Sequence, residues 1–228
     1  MRLRVIVPAR AYRAIGRYWL LIVAVICLGL YGGAFLERVL YQTYEGWEFD
    51  RAQDRRTAAA PVSSDPMAPV GRVLRASRKS LPTRKARPSA DIIGRISVPR
   101  LHLSAMVREG VDRNTLRLAI GHIPATALPG KPGNVGVAGH RDTFFRGLGD
   151  LRTQDEIHFS TLSGDFKYVV ESLIVVEPDN VGVLAPFSGN VLTLVTCYPF
   201  SYIGTAPKRF GVRARQVSPQ AVPPSTME

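Results

Sequence analysis

Cysteine is nearly absent from this chain of 228 residues: there are two, Cys27 and Cys197. So low a count excludes a disulfide framework, and no CxxC pair is present to hold a metal. No zinc-finger spacing and no RNP-like aromatic strand occurs, which removes the commonest nucleic-acid modules. No acidic cluster has calcium-loop spacing, and no internal repeat is visible. Acidic residues are also scarce. Lys and Arg number 30 against 18 Asp and Glu, a net charge of +12. Much of that excess lies outside the stretch that reads as folded. The expected anionic partner is therefore a membrane or cell-wall surface and not nucleic acid. No metal and no cofactor is called for.

What is present begins with a basic N-terminus. Residues 1–17 carry Arg2, Arg4, Arg10, Arg13 and Arg17 and no acid. Residues 18–36 form an apolar run of about nineteen residues, long enough to cross a bilayer as one helix. Trp19 and Tyr31 are aromatics of the kind found at membrane interfaces. A cleaved signal peptide is the competing reading, with Gly32-Gly33-Ala34 as a possible site. The run exceeds the usual signal core of about 7–15 residues, which favours an uncleaved single-pass anchor. The preceding arginines predict a cytoplasmic N-terminus and an extracytoplasmic remainder.

Residues 37–90 are expected to be an extracytoplasmic linker, whose first part, to about Asp50, could continue the helix. From Arg51 the segment is rich in Ala, Pro, Ser and Arg and too poor in aliphatics to offset chain entropy. Its basic run from Arg72 to Arg87 reads as a solvated tether or as a strap on anionic polymer or headgroups. Residues 91–217 hold the folded domain, and residues 218–228 read as a disordered tail. Short strands recur across 91–217: Ile92–Val98, Ala105–Val107, Asn134–Gly139, Ile157–Phe159, Tyr168–Val176, Val191–Cys197 and Phe210–Ala214. Asp112 suits the N-cap of a short helix, and Ser163-Gly164-Asp165 suits a hairpin turn. Many turns and few helices predict a mainly β fold, a closed or nearly closed barrel.

The stretch Val191–Phe200 carries the chemistry. Its aliphatic and β-branched run stops at Pro199, which cannot continue a central ladder. Cys197 is thereby set at the rim of a sheet. A core cysteine is the bland alternative, but a solitary thiol outside the cytoplasm is open to oxidation, which argues for a chemical role. His140 ends another strand and Arg209 precedes the last one. A thiol nucleophile needs a base or cation to favour its thiolate. The same histidine can protonate a leaving amine, and a guanidinium can hold an oxyanion. Arg213 and Arg215 share a strand face with Arg209, so spacing alone does not choose among the three. His122 is a candidate to line a groove. Asp142 lies two residues from His140, a spacing that need not reach the ring.

These residues fall in three segments that resemble the sortase family. Thr193-Leu194-Val195-Thr196-Cys197 is similar to the family's T-L-x-T-C signature. Gly121-His122-Ile123-Pro124 through Ala138-Gly139-His140-Arg141-Asp142-Thr143-Phe144-Phe145 resembles the segment around its catalytic histidine. Ala206-Pro207-Lys208-Arg209-Phe210 resembles its arginine strand. The likeness covers about Ile93 to Arg215, and Cys197-Tyr198-Pro199-Phe200 is most similar to class D. It implies an eight-stranded sortase-type β-barrel with Cys197 as nucleophile, His140 as general acid/base and Arg209 as stabiliser of substrate and oxyanion. Thr196 is then expected to help hold the intermediate. The family cleaves an LPxTG-type C-terminal sorting motif between Thr and Gly, forms a thioester, and passes the acyl group to an amine. The implied acceptor is a peptidoglycan precursor or a pilin lysine. One departure concerns Gln154-Asp155, where members often have Gly-Asp. Glutamine costs little there unless the position needs a positive φ. A cysteine endopeptidase using water is the near alternative, and a non-catalytic anchored binding module with an inert thiol is the distant one.

Overall fold

The computed structural model describes residues 9–59, 91–186, 188–202 and 204–217. The tether expected over 60–90 and the tail expected over 218–228 lie outside them. A single helix, α1, runs Ala9–Ala59 with no proline to interrupt it. Its apolar part reaches a mean hydropathy of 2.3, and the helix is long and apolar enough to cross a membrane.

The residues from Gln42 onward form one compact unit, separate from Met1–Tyr41. This unit contains eight strands: β1 (Ile92–Val98), β2 (Leu103–Glu109), β3 (Ile120–His122), β4 (Gly133–Ala138), β5 (Glu156–Thr161), β6 (Gly164–Val176), β7 (Asn190–Tyr198) and β8 (Lys208–Val217). They close into a barrel in the order β1-β2-β3-β4-β7-β8-β6-β5. The eight-stranded architecture expected from the sequence is therefore the one the chain adopts. Two pairings are parallel, β2 with β3 and β4 with β7, and the others are antiparallel. The first parallel pair needs a crossover, supplied by the short helix α2 (Arg113–Leu118). Asp112 caps α2 as expected, accepting hydrogen bonds from the Asn114 and Thr115 backbone N–H groups. Alternate residues of each strand fill the interior, among them Ile96, Val107, Val137, Phe159, Tyr168, Leu194 and Val212, all fully buried.

The end of α1 departs from the expected linker. Helix continues to Ala59, and Gln42, Glu45, Gly46 and Phe49 lie on the stripe that a 3.6-residue period turns toward the barrel. The sequence hid this because the docking groups are mostly polar. The Gln42 amide accepts from the Met106 N–H at 2.8 Å and donates to the Leu118 carbonyl at 2.7 Å. It bridges the notch left where β2 extends beyond the three-residue β3. Arg95 donates to the Gly46 carbonyl at 3.0 Å and pairs with Asp50 at 2.8 Å, and its guanidinium lies 5.5 Å from the Phe49 ring centre.

The corner before β5 resolves the Gln-for-Gly departure. Gln154 has φ 74°, in the left-handed region that glycine tolerates best. The turn is kept by its hydrogen bonds: Gln154 N–H to the Val170 carbonyl at 2.8 Å, and Arg152 N–H to Asp155 at 2.7 Å. Burial pushes the Asp155 carboxyl up, but its bonds to Arg100 and to the Arg152 N–H outweigh this and hold it below the usual carboxylate range. A carboxyl lowered in the folded state supports the fold above its unfolded pKa, and that support is lost as pH falls through the lowered value. Because Gln154 occupies a glycine conformation, Gln154→Gly is expected to stabilise the protein by about 0.5–1 kcal/mol. A melting curve checks this, and a drop in midpoint would show that the Gln154 side chain contributes more than its backbone costs.

Candidate active site

β7 places the thiol by simple alternation. Leu192, Leu194 and Thr196 point into the barrel and are buried, whereas Val195 and Cys197 are half-exposed on the outside. β8 runs antiparallel to β7 with Arg209 directly opposite Cys197. Such opposed residues have Cβ atoms about 4.5–5.5 Å apart on one face. Arg213 and Arg215 lie opposite Thr193 and Val191 instead, and Arg215 is paired with Glu171. Register thus separates three arginines that spacing left equivalent. On the other flank β4 runs parallel to β7 with Ala138 level with Val195. The Gly139 N–H extends that ladder to the Val195 carbonyl at 3.2 Å. The next residue, His140, therefore emerges past the end of β4 on the Cys197 side of the sheet.

His140, Cys197 and Arg209 line one cavity of about 250 Å³. Its remaining wall is Arg141, Asp142 and the segment Gly204–Ala206 from the β7–β8 connection. Arg209 donates to the Lys208 carbonyl at 3.1 Å and the Ala206 carbonyl at 3.4 Å, which seats its guanidinium against that segment. Among the described residues no carboxylate is hydrogen-bonded to the His140 ring, and no cluster of His, Cys, Asp or Glu could hold a metal ion. The arrangement offers a nucleophile, a base and a cation to a group lying across three neighbouring strands.

A family model described as the sortase domain matches residues 96–217, more than half of the chain. The chain belongs to the sortase family. Sortase D of Bacillus subtilis is 32% identical over 126 residues, covering 55% of this chain and 64% of that protein. Sortase SrtE1 of Streptomyces coelicolor is 33% identical over 123 residues, 46% of this chain and 35% of that protein. The match thus spans less than two thirds of either relative's length. A Clostridium perfringens sortase D5 transpeptidase superposes with TM-score 0.51 at 29% identity, covering 56% of this chain and 79% of that one. Sortase C-1 of Actinomyces oris gives TM-score 0.53 at 29% identity, over 57% and 76%.

Two expected site residues of this sortase do not reach the cavity. Thr196 faces the barrel interior, 3% exposed, and its hydroxyl donates to the Gly139 carbonyl at 2.7 Å. The odd–even alternation that exposes Cys197 turns Thr196 inward, so it braces the backbone ahead of His140. His122 is 2% exposed and not among the cavity residues. Its Nδ1 meets Glu109 at 2.7 Å, and its Nε2 lies 3.0 Å from both the Ala127 carbonyl and the Thr126 hydroxyl. With both ring nitrogens engaged, it staples the β3–β4 loop. Conversely, Arg141, Gly204 and Thr205 line the site without having been singled out, and Asp142, weighed only as a partner for the His140 ring, lines it too. Arg141 and Asp142 stood within the quoted histidine segment. Nothing in the composition of 204–205 marked it, and Ala206 opened the quoted arginine segment.

The Thr196 brace gives a prediction. Thr196→Val keeps the shape and removes the donor, leaving the Gly139 carbonyl unpaired at a cost of about 1–3 kcal/mol. The melting temperature should fall, and kcat should fall with little change in KM because His140 is displaced. Thr196→Ser, which restores the donor, should recover kcat. If Ser and Val behave alike, the hydroxyl does not position His140.

Proposed function

We propose that this sortase cleaves an LPxTG-like C-terminal sorting motif between Thr and Gly and transfers the acyl fragment to an amine of a peptidoglycan precursor or a pilin lysine. One observation carries the reading: Cys197 on β7, Arg209 opposite it on β8 and His140 just past the end of β4 share one cavity. An extended peptide suits the outer surface of β4 and β7 that leads to it. There Ala138 and Val195 are half-exposed. Beyond them a Cβ on Gly136 would meet Leu184, Thr126 and Ile123, so loops from both sides close over β4 there and bound the open stretch.

The chemistry follows from the groups present. The Cys197 thiolate attacks the threonine carbonyl carbon, and the carbonyl π electrons move to oxygen beside Arg209. Collapse reforms the C=O and breaks the C–N bond, while the protonated His140 gives its proton to the departing glycine nitrogen. A thioester and a free amine result. The acceptor amine then attacks the thioester, loses its proton to His140, and expels Cys197 as thiolate. Net, one amide is exchanged for another. In the same reading α1 anchors the protein, with Arg2 to Arg17 on the cytoplasmic side and the barrel outside. Anionic headgroups or wall polymer face the basic run between Arg72 and Arg87.

The full chain in detergent, incubated with a panel of quenched LPxTG-type peptides and an amine, tests the proposal. Cleavage with a Cys197 acyl adduct seen by mass spectrometry supports it. Failure across the panel while Cys197 still alkylates would defeat it. A product ratio indifferent to added amine would identify a hydrolase.

A further inference from the structure

One arginine of the cavity wall has no part in the chemistry above, yet makes the most directed contacts there. Arg141 follows His140 on a backbone that the barrel holds firmly. The His140 carbonyl accepts from the Phe145 N–H at 3.1 Å and the Thr143 N–H at 3.3 Å. Phe145 is fully buried and packs so closely that a Cβ on Gly139 would come within 2.8 Å of its ring. From this base the guanidinium reaches across to the β7–β8 connection. Nη1 donates to the Pro199 carbonyl at 2.9 Å and Nη2 to the Gly204 carbonyl at 3.0 Å. Between those carbonyls the Tyr202 ring centre lies 5.9 Å from the guanidinium carbon. Phe200, at the start of the connection, packs on Phe210 with ring centres 5.2 Å apart, but beyond it Ser201, Tyr202, Gly204 and Thr205 are all exposed. Among the described residues of the connection only Ala206, at its far end, is buried, and its carbonyl is one of the two that seat Arg209.

We propose that Arg141 is a positioning residue, a two-pronged peg that fixes the β7–β8 connection relative to the His140 strand and thereby sets the seat of Arg209. The proposal rests on the roles given to His140 and Arg209 above. The fork explains why an arginine stands here. Two parallel donors on a rigid plane can span two carbonyls, whereas the point charge of a lysine cannot hold both in one geometry. Because the peg acts on the group that meets the oxyanion, its loss should be felt in the transition state more than in substrate binding.

The experiment compares wild type, Arg141→Gln, Arg141→Lys, Arg209→Ala and the Arg141→Gln/Arg209→Ala double variant in the full chain. Hydrogen exchange of the amides over 200–206 is read first. It should rise at least about tenfold in Arg141→Gln, with the barrel strands unchanged. Peptide turnover is read second. In Arg141→Gln kcat should fall about 10–100-fold with KM within about twofold, Arg141→Lys should fall between, and the same Gln substitution in the Arg209→Ala background should cost less than about threefold. Unchanged exchange in the connection overturns the proposal, and so do fully additive effects of the two substitutions. A wild-type chain that cleaves no peptide would defeat the transpeptidase reading instead, and the exchange comparison would then decide alone whether Arg141 pins the connection. Should Arg141→Gln fail to fold, the same two readouts are taken from Arg141→Lys, where wild-type exchange together with wild-type kcat overturns the proposal.

Discussion

Cys197→Ala is expected to abolish peptide cleavage and the acyl adduct while leaving the melting temperature within about 2 °C of wild type. Removing a nucleophile that works together with a base costs on the order of 10⁶ in kcat. The fold should not notice, because the thiol is half-exposed at the end of β7 and fills no interior space. Substitutions of that kind usually change stability by about 0.5 kcal/mol or less. Cys27 supplies the control. It lies exposed on the apolar part of α1, so Cys27→Ala should leave turnover unchanged while removing the second alkylation site. Turnover retained in Cys197→Ala would remove the thiol from the mechanism, whatever the fold resembles.

The elements that could be read from the chain were those whose signal is local. The apolar run over Ile92–Val98 marked β1, the aliphatic and β-branched run stopped by Pro199 marked β7, and Asp112 marked the start of α2. His140 and Cys197 stood at strand ends that those patterns located. What escaped depended on pairing between distant segments. By spacing alone three arginines on one face of β8 are equivalent, and only the resemblance pointed to Arg209; register with β7 puts Arg209 alone opposite Cys197. β3 has only three residues, too short for any period, and exists because its neighbours supply ladders on both sides. The docking of Gln42–Ala59 was invisible because a single amide bridging Met106 and Leu118 has no compositional trace. Thr196 and His122 lie off the cavity lining for a related reason. Each belongs to a segment with functional resemblance, but side-chain direction, inward for one and into a loop staple for the other, is set by the barrel. Gln154 is the reverse case. A departure noted in the sequence as costly only at positive φ sits at φ 74°.

His140→Ala is expected to lower kcat/KM for peptide cleavage by about 10²–10⁴, the range for a lost general acid/base, without unfolding the barrel. The residue lies beyond the last rung of β4 at the cavity, and the turn after it is held through backbone groups and the buried Phe145, not through its ring. Two jobs are lost together, and they can be separated by chemistry. Favouring the thiolate matters less at a pH where thiols ionise unaided, about 8.5 and above. Protonating the leaving nitrogen matters at any pH for an amide, whose amine leaves poorly without a proton. It matters little for an activated ester, whose leaving group departs as an anion. If His140 performs both tasks, His140→Ala should acylate Cys197 from an activated ester at high pH at close to the wild-type rate, yet remain slow on the peptide under the same conditions. Equal and small losses on both substrates at high pH would mean that the imidazole serves Cys197 alone and that another group, with Asp142 the carboxyl on the cavity wall, gives the nitrogen its proton.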